Sequence, residues 1–232
     1  MIGSRQFVRR HEPLPGLEYL DPESRTDVEA VARLFEAHMP TNAMHMLGPR
    51  LVRRFLFSRL VRDGLVDVLV CRVNGSIEAF LAFSEHPRAF YRRGLRRHPF
   101  CVAGALLAEV ATHPERSAAV WHTARRVFST FIHPLKAVPG TVEALFLVVP
   151  PQFQRHVPEG TRTRLPVHLL NAIGEHARAK GLSRVIYGEN PNNLAINLLL
   201  TSMGFQFEKL TFAWETVHVY TQNVTAAGMS AG

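Results

Sequence analysis

The stretch TVEALFLVVPPQFQRHVPEGTRTRLPVHLLNAIGEHARAKGLSRVIYGENPNNLAINLLLTSMGF, residues 141–205, decides the fold. It predicts a strand over Val142–Val149, an irregular loop over Pro150–Leu165 and a helix over Pro166–Lys180. A strand over Ser183–Tyr187, an asparagine-containing turn and a helix over Leu194–Ser202 follow. In such a βαβα unit each loop feeds a helix N-terminus. The unpaired N–H groups there, with the positive end of the helix dipole, suit an anion.

Working outward, Leu17–Leu20 is a short first strand, and Val28, Val31, Leu34 and Phe35 recur at helical spacing. A second helix runs from Pro49 to Arg62, with Leu51, Phe55, Leu56 and Leu60 as its apolar set. The β-rich runs Val66–Val73 and Ser76–Ser84 flank Asn74-Gly75, a strong hairpin signal. Residues 86–138 are predominantly helical and broken by prolines. Gln206–Trp214 and Val217–Tyr220 are terminal strands. The expected architecture is α/β: one domain over 1–232, a mixed sheet of about seven strands flanked by helices. It carries a loose tail at 1–16, a helical insertion at 86–138 and a disordered tail at 221–232.

The segment Asn193-x-x-Ile196-x-x-x-Leu200-x-x-x-Gly204-Phe205 resembles the second cofactor motif of the GNAT acyltransferase superfamily. Without the insertion, the element order also matches that fold. The resemblance implies acetyl-CoA or another acyl-CoA as co-substrate and a small-molecule amine as acceptor. In the family, a loop of pattern Arg/Gln-x-x-Gly-x-Gly/Ala after the fourth strand cradles the pyrophosphate. Here Thr161-Arg162-Thr163-Arg164-Leu165-Pro166 occupies that place, with Arg164 and Pro166 where the small residues fall. Gln154 is a second candidate for the leading position.

The resemblance then implies Arg162, Thr163, Arg164 and Leu165 on the pyrophosphate and Asn193 on the pantetheine arm. It implies a backbone N–H of Val148 or Val149 on the oxyanion. Glu143 is the general-base candidate, because the attacking amine must be neutral. Glu189 and Tyr187 are secondary candidates at the same end of the sheet. Leu200 stands where some relatives have a tyrosine acid, so the leaving thiolate takes its proton elsewhere. Arginines without glycines also suit an acyl carrier protein as donor, and the altered loop suits a non-catalytic module of the same fold.

The chain has 232 residues, 47% hydrophobic and 20% charged, with a formal charge of +8. That charge favours anionic partners without choosing among them. Cys71 and Cys101 lack metal spacing, and the twelve histidines form no zinc motif, so no metal is expected. No apolar run is long enough to span a bilayer and no secretory signal opens the chain, which points to a cytoplasmic protein. The block His86–His98, rich in arginine, suits acidic lipid, an acidic carrier or nucleic acid, or a helix packed on the sheet with its arginines in water; no feature singles out nucleic acid or membrane. Phe100–Val110 is apolar nearly all round and must be covered, by the core, by an apolar substrate or by a homodimer contact.

Overall fold

The structure, a computed structural model, describes residues 12–87, 89–132, 139–189, 192–211 and 216–224. Strands β1 (Leu17–Tyr19), β2 (Asp67–Val73), β3 (Ser76–Ser84), β4 (Thr141–Val148), β5 (Arg184–Glu189), β6 (Gln206–Thr211) and β7 (Thr216–Asn223) form one sheet of order β1-β2-β3-β4-β5-β7-β6. All neighbours are antiparallel except β4 and β5. Mixed sheet, strand count and insertion agree with the sequence reading.

Local chemistry sets the first elements. Helix α1 (Arg25–His38) begins where the Ser24 hydroxyl accepts from the Asp27 amide at 3.3 Å. Its buried stripe is Val28, Val31, Ala32 and Phe35. Asn74 and Gly75 take φ of 52° and 82°, the left-handed pair that a two-residue hairpin requires. After the short helix α2 (Ala43–Met46), α3 (Pro49–Leu51) runs directly into a π-helix, Val52–Leu60. That register differs from the expected α-helix. Phe55, Leu56 and Phe57 are all buried there, a run that an α-turn would spread over about 200°. Phe57, absent from the predicted apolar set, meets Phe35 and Phe80 edge-to-face at 5.7 and 5.5 Å.

The sheet carries one core on each face. The first joins α1, the π-helix, β2–β4 and the inserted helices α4 (Phe90–Arg97), α5 (Pro99–Thr112) and α6 (Ser117–Ile132). The second lies under α7 (Leu165–Ala179) and α8 (Leu194–Ser202). Helix α4 seats on the π-helix through Gly94, where an added Cβ would lie 2.2 Å from Leu60 Cδ2 and 3.1 Å from Phe55. Gly94→Ala is expected to cost about 1–3 kcal/mol, measured by denaturant unfolding, because the overlap falls in a filled core.

Both predicted tails shorten. Residues 221–223 belong to β7, paired with Arg184–Ile186, because ladder hydrogen bonds need only backbone and tolerate the polar Thr-Gln-Asn. Residues 12–16 are held too. Leu14 packs on the second core, and the Pro15 carbonyl accepts from His168 Nε2 at 2.8 Å. Among the described residues, no helix is long and apolar enough to cross a membrane.

Candidate active site

Strands β4 and β5 are paired only from Thr141–Arg184 to Ala144–Tyr187. β4 continues to Val148 against β3, and β5 continues to Glu189 against β7, so the parallel pair parts at its carboxyl end. A register shift coincides with the parting: Ala82 faces Phe146 while Phe83 faces Ala144, which leaves Leu145 as the extra residue of a bulge. Leu145 and Phe146 consequently both pack on the first core, and the alternation resumes with Leu147 on the second. Helix α7 follows β4 and α8 follows β5, so both helix N-termini flank the open end. Ligands of α/β sheets bind outside the carboxyl ends of such strands.

Within the cleft, Tyr187 is buried. Burial first, then the Glu189 charge, pushes its phenol upward, while a backbone hydrogen bond from Leu147 pulls the other way. Through the Leu147 contact the Tyr187 side chain bridges the parting strands. Because the Leu147 N–H points toward β5, strand alternation turns Val149 the same way and Val148 toward β3, where it pairs with Phe80. Of the two expected oxyanion donors, Val148 pairs with Phe80 of β3, and Val149 lies just past the end of β4.

The expected pyrophosphate loop is only partly available. Gln154 ends a 3₁₀ turn, Pro151–Phe153, and is exposed. The Leu165 side chain is buried and its amide donates to the His156 carbonyl at 2.8 Å. Pro166 is the second residue of α7, not the first, and has no N–H. The His168 amide returns to Arg164. Val167 is then the first-turn amide without a backbone acceptor among the described residues. The Leu165 donor, expected on the pyrophosphate, is thus bonded within the loop. Arg162 and Arg164 are exposed, and so is Arg155. The Thr163 hydroxyl lies 3.5 Å from His168 Nδ1. Since Pro15 O can only accept, His168 carries its proton on Nε2 and presents Nδ1 to Thr163.

Asn193 is the residue before α8; it is exposed, and its side chain makes no capping bond. Glu143 is half-buried on the face covered by the insertion, one residue before the last β4–β5 pair. Its neighbour there is Tyr91 of α4, whose phenol is pushed up by burial first and by the Glu143 charge second. Tyr91 lies in the predicted helical segment 86–138; its approach to Glu143 is a long-range contact that no local pattern announces.

A second polar cluster lies at the other end of α7. Ligand atoms of Asp67, Glu85 and His176 fall within 4.8 Å of one another. His176 Nε2 meets Glu85 Oε1 at 2.8 Å, its Nδ1 meets the Tyr19 hydroxyl at 3.1 Å, and Lys180 Nζ stands 3.4 Å from the same Glu85 oxygen. Lysine supplies there the positive charge a metal would bring, so the cluster is an ion-pair network. The His176 bond holds the Glu85 carboxyl at about 2, well below its usual 4.5. A lowered carboxylate stabilises fully above about pH 4.5 and loses that contribution as pH falls toward 2. Discounted for partial exposure, this is about 2 kcal/mol. Glu85→Gln is expected to flatten unfolding free energy against pH across that window.

No protein-family model matches the chain, and no curated protein matches it in sequence. Solved structures do match. A GNAT-family chain from Desulfovibrio desulfuricans superposes with a TM-score of 0.53 at 12% identity, covering 90% of this chain and 99% of its own. An N-acetyltransferase from Staphylococcus aureus Mu50 gives 0.52 at 16% identity, covering 90% and 98%. The aminoglycoside 6'-acetyltransferase type Ii gives 0.52 at 9%, covering 90% and 97%. The chain has the GNAT fold.

Proposed function

We propose that the chain transfers an acyl group from an acyl-CoA thioester to a primary amine. The observation that carries this reading is the parting of β4 and β5 at Ala144–Tyr187, with the starts of α7 and α8 on either side of the opening. Arg162 and Arg164 bind phosphate oxygens of the donor, helped by the Val167 amide. The Asn193 amide bonds the pantetheine arm. The amine nitrogen attacks the thioester carbonyl, a C–N bond forms, and the developing oxyanion meets the Val149 N–H. As the C–S bond breaks, the thiolate takes a proton from water, since Leu200 is buried and carries no hydroxyl. Glu143 receives the amine's proton, directly or through water.

The test is release of CoA thiol from acetyl-CoA with a panel of primary amines. Release that needs both the folded chain and an amine supports the reading, and no release with any amine counts against it. A second reading takes an acyl carrier protein as donor. The exposed Arg155, Arg162 and Arg164, together with the committed Leu165 amide, favour it. It predicts transfer from acyl carrier protein and none from CoA.

A further inference from the structure

The insertion leaves one face uncovered. Val102 and Ala105 of α5 and Val120 and Ala124 of α6 are buried in the first core, so the opposite faces of both helices turn outward. There Phe100 is 89% exposed, Leu107 72% and Trp121 74%. Phe100 and Leu107 are seven residues apart, on one side of α5, with exposed Ala103, Gly104 and Ala111 along the same line. A Cβ on Gly104 would meet nothing within 4 Å. The expectation that α5 is covered all round therefore holds for half of it.

The charge next to this face along the chain is mainly positive. Arg93, Arg96 and Arg97 are exposed at the end of α4, immediately before α5, with Arg97 3.4 Å from the Asp63 carboxylate, and Arg125 is exposed one turn after Trp121. Among the described residues of 89–125, Glu115 is the exposed acid; Glu109 is buried and ion-paired with Arg116. Exposed aromatic and aliphatic side chains rimmed by arginine are what an anionic lipid interface binds, through apolar insertion and headgroup attraction together. A second copy fits worse. A twofold dimer pairs two surfaces of the same net positive charge.

We infer that the outer face of α5–α6, with the arginines of α4, docks the protein on an anionic membrane surface. This does not depend on the donor chemistry and goes beyond it. The test is co-sedimentation with phosphatidylcholine vesicles with and without about a third phosphatidylglycerol. Wild type should pellet with the anionic vesicles only and be released at about 0.5 M salt. Phe100→Ser/Leu107→Ser and Arg93→Glu/Arg96→Glu should each weaken vesicle binding at least ten-fold. All four side chains are exposed, so the melting temperatures should match wild type, which separates lost docking from lost fold. Three results would overturn the inference: wild type remaining in the supernatant, equal binding to neutral vesicles, or a dimer in light scattering that Phe100→Ser/Leu107→Ser dissolves.

Discussion

Charge reversal of both Arg162 and Arg164 to glutamate is expected to raise the Kd for acetyl-CoA at least about a hundred-fold. Each charge-assisted bond to phosphate contributes about 1.5–3 kcal/mol, and reversal adds repulsion to the loss. The fold should be unaffected. Both side chains are exposed, and Arg164 is the N-cap of α7, where a glutamate suits the helix dipole better than arginine does. Titration calorimetry beside a thermal melt checks this: binding lost at an unchanged melting temperature is the expected pair of results. Unchanged affinity would move the phosphates away from the α7 end of the cleft.

Glu143→Gln is expected to lower kcat about 10²–10⁴-fold while the KM for acetyl-CoA stays within a few-fold. Glutamine keeps the size and loses the proton acceptor. Glu143 sits beside the last β4–β5 pair, on the side the insertion covers, away from the arginines of the loop, so donor binding has no reason to change. A variant that loses donor affinity and kcat together would make Glu143 a structural carboxylate of the Tyr91 contact. The pH–rate profile supplies a second readout, since the acidic limb belongs to the base and should vanish with it.

The elements with local signatures were legible in the sequence. Val28, Val31, Leu34 and Phe35 at helical spacing mark α1, and Asn74-Gly75 closes the β2–β3 hairpin. The alternation from Val142 onward gives β4, and the sequence of strands and helices gave the mixed sheet. What escaped depends on long-range packing. The π-register of Val52–Leu60 follows from three successive side chains finding core space against Phe35 and Phe80. The bulge at Leu145 is a relation between two strands, and Glu143 and Tyr91 meet from segments 52 positions apart in the sequence. His176 gathers Tyr19 and Glu85 from separations of 157 and 91 residues. The candidate site was readable as a location, a loop entering a helix after β4. Its chemistry was less so, because backbone donors are invisible in side-chain patterns. The Leu165 amide goes to His156, and Val148 pairs with Phe80 across to β3.

The central claim is that the open end of β4 and β5 holds an acyl-CoA thioester. Isothermal titration of the protein with acetyl-CoA, with CoA and a long-chain acyl-CoA alongside, tests it most directly. The account predicts saturable one-to-one binding, weakened by Asn193→Ala through the pantetheine contact and more strongly by Arg164→Glu through the phosphates. A folded protein that gives no heat with any of the three thiol or thioester ligands, and shows no ligand-induced rise in melting temperature, would contradict it.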